Sequence, residues 1–313
     1  MQEGCNICPR ECKVDRLSGK KGYCGESSKM MVARAALHFW EEPCISGEEG
    51  SGTIFFCGCP LHCIFCQNYG ISKGNLKEKI KEEDKQNQRQ ENIGKEITEE
   101  QLAEAMLKLQ EKKANNINLV TATHYIPQVS KSLKLAKEKG LSVPVIYNTG
   151  GYEKVESLKM LEGLVDVYLP DMKYFSPKLS KEYSQAPDYF LVAKKAIEEM
   201  VRQTGSPVFN ERGIIKKGVI VRHMILPGST RDSMEIMEYL IKTYGNQIII
   251  SLMNQYTPME QMKTHPLLKR RITQREYEKV IDFGIQMGWE NGFVQEKGTV
   301  GESFIPQWNG EGL

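Results

Sequence analysis

"SGTIFFCGCPLHCIFCQNYGIS", residues 51–72, carries a β-rich apolar run that flows directly into four cysteines, Cys57, Cys59, Cys63 and Cys66. A short run of this kind, rich in β-branched and aromatic residues, reads as a buried strand. The cysteines then occupy the loop at the strand's carboxyl end. In folds built of βα units that end is where the chemistry gathers. The fold therefore turns on whether strands and helices alternate downstream.

They do. "ITEEQLAEAMLKLQEKK" (97–113) opens with Thr98 and Gln101 as a capping box, with Leu102, Met106 and Leu109 on one helical face, and "NINLVTATHY" (116–125) reads as a buried strand. A helix over 129–139 stopped by Gly140, the strand "VPVIYN" (143–148), a helix over 153–161 and the strand "VDVYLPDMK" (165–173) come next. The series continues with a helix over 189–203, the strand "GVIVRHMIL" (218–226), a helix over 233–244 ended by Gly245 and the strand "QIIISLMNQY" (247–256). Thr273 and Glu276 start one more helix as a second capping box. With "TIFFC" this makes about six strands, short of the eight of a closed (β/α)8 barrel. The expected fold class is α/β, an open, partial (β/α)6 TIM-like barrel on a parallel sheet. Residues 1–45 form a small cysteine-rich amino-terminal extension, 46–300 the barrel and 301–313 a tail. The polar, mixed-charge tract at 72–96 reads as an exposed insertion.

Polar residues recur just after the strands: Thr121, Thr123 and His124; Asn148, Thr149 and Gly150; Asp171 and Lys173; Arg222 and His223; Asn254 and Gln255. Strand-end capping or turn chemistry accounts for any one group. Five groups converging on one rim argue for a site.

All nine cysteines lie between Cys5 and Cys66, which points to local metal sites. Structural disulfides are disfavoured, because the number is odd and no export segment is evident. Cys59, Cys63 and Cys66, spaced C-x3-C-x2-C, can bind three irons of a [4Fe–4S] cube and leave the fourth without a protein ligand. A closed zinc site with Cys57 as fourth thiolate, or plain buried thiols, are the alternatives. Cys5, Cys8, Cys12 and Cys24 form a second metal-binding set, for zinc, iron or a second Fe–S cluster. Their short polar segment lacks the apolar residues to fold alone. Cys44 and Cys57 read as small buried residues.

Cys59, Cys63, Phe65 and Cys66 reproduce a C-x3-C-x-aromatic-C signature, and on it the sequence resembles the radical S-adenosylmethionine (SAM) superfamily. The resemblance is closest to the pyruvate formate-lyase activating enzyme-like proteins. It is carried by residues 51–72 and by "LVTATHYIPQ" (119–128), "YLPDMKY" (168–174), "VIVRHMILPG" (219–228), "SLMNQYTP" (251–258) and "GWENGFVQ" (288–295). The amino-terminal "CNICPRECKVDR" and "GYCGE" add to it. It implies a partial barrel of radical SAM type, and an enzyme whose [4Fe–4S] cluster cleaves SAM reductively to a deoxyadenosyl radical that takes hydrogen from a substrate. The implied substrate is the glycine of a glycyl radical enzyme, or else another peptide, protein or small metabolite. An electron donor such as flavodoxin or ferredoxin is implied as a partner, as is an anaerobic setting. Lys173 would neutralise the SAM carboxylate, Asp171 would position Lys173 or accept from the ligand, Arg222 and His223 would reach the carboxylate or ribose, and Phe65 would pack on adenine. "TATH" stands where many members carry Gly-Gly-Glu, so Thr121, Thr123 and His124 would serve the SAM amino group. Asn148, Thr149 and Asn254 complete the expected cofactor-binding set.

A different class of function, a non-catalytic Fe–S or zinc scaffold or electron carrier, is compatible with the same cysteines but predicts no SAM binding. The net charge of +2 gives no reason to expect nucleic acid or an anionic membrane as partner. No run approaches a bilayer span, so a cytoplasmic protein is expected.

Overall fold

The computed structural model describes residues 4–73, 94–259, 262–295, 308 and 310–313. The strands are β1 (Met30–His38), β2 (Ser51–Phe56), β3 (Lys95–Ile97), β4 (Ile117–Val120), β5 (Val145–Thr149), β6 (Val167–Pro170), β7 (Val208–Phe209), β8 (Ile215–Met224), β9 (Ile249–Met253) and β10 (Gly292–Val294). They form one sheet in the order β10-β9-β8-β6-β5-β4-β2-β1-β3, with β7 on β8. From β2 through β10 along this path every pairing is parallel. The path ends on β10 and β3, so the barrel stays open.

The six expected strands are β2, β4, β5, β6, β8 and β9, in that spatial order. β10 adds a further parallel strand of three residues, too short to show a period. β1 pairs antiparallel with β2, and β3 with β1. β1 is thus a strand of the main sheet within the stretch assigned to the extension.

The helices are α1 (Pro43–Ser46), α2 (Tyr69–Ser72), α3 (Glu99–Glu111), α4 (Ile126–Glu138), α5 (Val155–Leu158), α6 (Pro177–Ser184), α7 (Tyr189–Thr204), α8 (Thr230–Tyr244) and α9 (Gln274–Gln286). Both capping boxes form, at Thr98 with Gln101 and at Thr273 with Glu276. α4 starts ahead of the expected Val129 because Pro127 suits the first turn, where its missing N–H costs nothing. The helix expected over 153–161 is a single turn, α5, continued as a 3-10 turn over Lys159–Leu161.

Alternation along each strand divides the core in two. On β5, Tyr147 joins the outer layer, where Leu102, Met106, Val129, Leu133, Ile197 and Leu240 of the helices meet the sheet. Its neighbour Ile146 turns inward with Val167, Leu169, Ile220 and Ile249, against Cys44 and Ile45 of α1. Because α1 lies between the end of β1 and the start of β2, it plugs the amino-terminal end of the barrel. The carboxyl ends are left for the cysteine loop and the polar groups.

Gly310 N–H donates to Ala33 O at 3.1 Å and Ala35 N–H to Glu311 O at 2.9 Å, so the chain's last residues line the edge of β1. Trp308 meets Phe55 ring to ring at 5.1 Å. The insertion, apart from its ends, and most of the tail lie outside the described residues. Among the described residues no helix is long and apolar enough to cross a membrane.

Candidate functional site

The cysteine loop leaves β2 through Gly58, at φ +85, where a Cβ would stand 2.7 Å from both Cys24 O and Glu26 Cγ. Only glycine lets the two chain segments come this close. Beyond it each of the three thiols receives a donor. Leu61 N–H reaches Cys59 Sγ at 3.4 Å, Ser184 Oγ lies 2.9 Å from Cys63 Sγ, and the Ser72 hydroxyl reaches Cys66. Burial, and then repulsion between the thiols, push Cys59 up to about 12 and Cys66 to about 11. Cys59 and Cys66 are therefore held as neutral thiols, and their deprotonation calls for compensating positive charge, which is what a metal centre provides.

Three thiols, each with its own donor, are a set whose chemistry suits three corners of a cube. Among the described residues no three His, Cys, Asp or Glu side chains, in this loop or in the amino-terminal segment, are gathered to hold a single metal ion. Thiolates on one zinc would stand about 3.8 Å apart, from a Zn–S distance near 2.3 Å, whereas on a cube each takes its own iron. Cys57 is turned away into an apolar cluster with Ala33, Phe55, Ile71 and Val120.

Beside the loop, Lys173 pairs with Asp171. Burial works against the lysine's charge, but Asp171 and then Cys63 outweigh it and its pKa is raised. The Tyr189 hydroxyl lies 2.8 Å from both Gly150 O and Asp171 O, and Lys173 N–H donates to it at 3.0 Å. A Cβ on Gly150 would meet Leu61 Cδ1 at 2.8 Å, so the turn after β5 touches the cysteine loop. Cys59, Cys63, Cys66, Asp171 and Lys173 thus form one group.

The other expected residues bond mainly to different partners, although the charge of Asp171 reaches both Arg222 and His223. Thr123 and Thr149 both donate to Glu153 Oε1, the former at 2.8 Å. His124 Nε2 donates to Cys57 O at 2.8 Å and His223 Nδ1 to Met172 O at 2.7 Å. Burial lowers these rings to about 3 and about 4, so both are neutral braces of backbone. Thr121, at φ +61, donates its N–H to Asn148 O at 2.9 Å. Arg222 points into the barrel, 2.9 Å from Glu41 and 3.3 Å from Glu42, on the chain that leads into α1. Asn254 bonds Gln295, and Gln67 of the cysteine loop donates to Gln255 O at 3.1 Å. Phe65 is enclosed by Tyr174, Tyr183 and Tyr256, with ring centroids 6.2–6.4 Å away.

Glu153 was not among the residues singled out from sequence, where its only signal is its place four residues after Thr149. It is buried, its Oε2 has no hydrogen-bond partner, and burial, offset in part by the two threonines, pushes it up to about 7. The native fold therefore prefers the protonated form. Stability is expected to fall by ~3 kcal/mol as pH rises from the unfolded carboxyl's range to about 7, then to level off. Glu153→Gln keeps an acceptor for both threonines and removes this dependence. Urea unfolding at pH 5 and pH 8 should show a stability gain over wild type only at the higher pH.

The amino-terminal cysteines also lie close together. Cys5 N–H donates to Val14 O at 2.9 Å and Lys13 N–H to Cys5 O at 3.0 Å, which folds the segment back on itself. A Cβ on Gly22 would stand 3.1 Å from Cys12 Sγ and 3.6 Å from Cys24 Sγ. Burial, then neighbouring charge from Cys24 and Cys5 among others, pushes Cys8 up to about 12.

Residues 53–240 match the sequence model described as the Radical SAM superfamily. An uncharacterized protein of Methanocaldococcus jannaschii is 28% identical over 281 residues, 90% of this chain and 74% of that protein. Among solved structures, the FeFe-hydrogenase maturase HydG from Carboxydothermus hydrogenoformans has a TM-score of 0.50 at 11% identity, over 81% of this chain and 56% of that one. Streptococcus suis SuiB bound to S-adenosylmethionine has a TM-score of 0.48 at 16% identity, over 77% of this chain and 49% of that one. The chain spans about half the length of these two structures.

Proposed function

This chain belongs to the radical SAM superfamily, and from that premise we propose that Cys59, Cys63 and Cys66 hold a [4Fe–4S] cluster whose fourth iron takes SAM. The observation that carries the reading is the grouping of three donor-fed thiols with the Lys173–Asp171 pair at the carboxyl end of parallel strands. When bound, the cluster supplies the electron that cleaves SAM to a deoxyadenosyl radical, which abstracts hydrogen from the substrate.

The chain's own residues supply the rest. Lys173 offers an ammonium to the SAM carboxylate; Asp171 pairs with that ammonium and Tyr189 holds the Lys173 backbone. Gly150, with no side chain, leaves room for Leu61 of the cysteine loop to pack against the turn after β5. Thr123 and Thr149 act through Glu153, and His124 through Cys57 O, so "TATH" shapes the rim from behind. Arg222 serves the barrel interior, and Phe65 braces the loop between two ligands.

Glycyl radical enzyme activation is the substrate reading proposed, supported by the sequence resemblance, with flavodoxin or ferredoxin as electron donor. Cys5, Cys8, Cys12 and Cys24 are proposed to hold a second metal. The division into 1–45, 46–300 and 301–313 belongs to the same reading.

The test is anaerobic reconstitution with iron and sulfide, then reduction with SAM present. Deoxyadenosine should form well above a Cys63→Ala control, and equal traces in both would defeat the reading. A glycyl radical doublet in the paramagnetic resonance spectrum of an added glycyl radical enzyme would establish the substrate. Lys173→Met should weaken SAM binding about tenfold to a hundredfold, the range for loss of a charged partner, while iron content holds. Equilibrium dialysis with labelled SAM reads this directly.

A further inference from the structure

We propose that Arg10 is a positioning residue for the cluster, a guanidinium that ties the loop bearing the cluster cysteines to the segment that hydrogen-bonds one of them. The inference rests on the reading of Cys59, Cys63 and Cys66 as cluster ligands. Arg10 lies between Cys8 and Cys12, and its partners are three backbone carbonyls. Nε donates to Pro60 O at 2.7 Å, Nη2 to Ser184 O at 2.8 Å and Nη1 to Gln185 O at 2.5 Å. Pro60 directly follows Cys59. Ser184 is the residue whose hydroxyl lies 2.9 Å from Cys63 Sγ, and Gln185 ends α6 in a left-handed turn at φ +51.

The guanidinium plane is itself held. It lies 4.2 Å over the Tyr23 ring and 5.3 Å from Tyr152, and Tyr23 stacks on His62 of the cysteine loop at 4.8 Å. A planar fork with five donors can serve three fixed carbonyls at once; a lysine ammonium cannot match that geometry. The rest of the segment grips the same loop from its other flank. Cys59 N–H donates to Cys24 O at 3.2 Å. Arg16 Nη1 donates to His124 O at 2.6 Å, and His124 in turn holds Cys57 O. Two arginines and one cysteine carbonyl of the amino-terminal segment therefore set the path of the loop from Cys57 to Cys63. Arg10 also fixes a permanent positive charge beside the cluster ligands, which favours the more negative, reduced cluster.

The reconstituted full-length protein and Arg10→Lys test this. The variant keeps the charge and loses the fork. At unchanged iron content it should broaden or shift the resonance spectrum of the reduced cluster and slow deoxyadenosine formation about tenfold to a hundredfold, as loss of outer-shell partners does. Arg10→Gln should in addition lower the cluster's midpoint potential. Tyr23→Leu, which removes one stacking face and leaves every carbonyl in place, should shift the spectrum in the same direction by less, and it serves should the Arg10 variants fail to fold. A cluster spectrum and potential unchanged in the folded variants would overturn the role of Arg10 while leaving the cluster in place. A wild-type protein that assembles no cluster on Cys59, Cys63 and Cys66 would overturn the underlying reading as well.

Discussion

Serine in place of Cys59, Cys63 or Cys66 is expected to abolish cluster assembly, with deoxyadenosine formation falling by more than about 100-fold, beyond the cost of losing an outer-shell partner. A hydroxyl does not give up its proton as a thiol does, so the exchanged corner of the cube has no anionic ligand. The loss should be equal for the three, because each thiol serves one iron and none can substitute for another. Cys57→Ala is the informative contrast. Its side chain faces Ala33, Phe55, Ile71 and Val120, so cluster content should stay at the wild-type level. Iron and sulfide analysis with the visible absorbance of the reconstituted variants checks both statements.

The second large effect is on stability. Arg222→Met should destabilise the fold by about 3–5 kcal/mol, the cost of removing one partner from a buried ion pair. Its guanidinium lies between Glu41 and Glu42 inside the barrel, and both carboxylates are almost fully buried. Burial and then the charge of Glu41 raise the pKa of Glu42, while Arg222 lowers it. Without Arg222 the two buried acids stand together with only the neutral Asn118 beside Glu41 and Ser251 beside Glu42. For a chain of this size the drop in Tm should be about 5–8 °C. Adding Glu41→Gln and Glu42→Gln should recover much of it, since the cost comes from uncompensated charge. SAM affinity of the folded Arg222→Met protein should stay near wild type. A selective loss of SAM binding with normal stability would instead support the cofactor role that the place of Arg222 after a strand suggests.

How far the sequence could be read depended on how many residues each feature spreads over. The parallel strands were legible because "NINLV", "VIYN" and "IIISLM" are continuous apolar runs between helices with readable caps, and the two capping boxes form as read. β10 was hidden by its length, and β1 by pairing antiparallel outside the βα series. α1 is four residues that matter only because tertiary folding carries Cys44 and Ile45 into the barrel. In the candidate site, the strand-end rule names residues on one rim but does not say which way their side chains point. Alternation along β8 sends Arg222 inward and His223 outward to Met172 O, a distinction that needs the register. Glu153 and Arg10 act over long sequence separations, on Thr123 and on Ser184, and nothing local marks them.

The most direct measurement is the Mössbauer spectrum of wild-type protein reconstituted with iron-57, before and after SAM. With three cysteine-bound irons and one open corner, a single iron should change its isomer shift on adding SAM while the rest keep theirs. An iron signal indifferent to SAM, or a protein that takes up zinc and no iron at these cysteines, would contradict the open corner on which the chemistry depends.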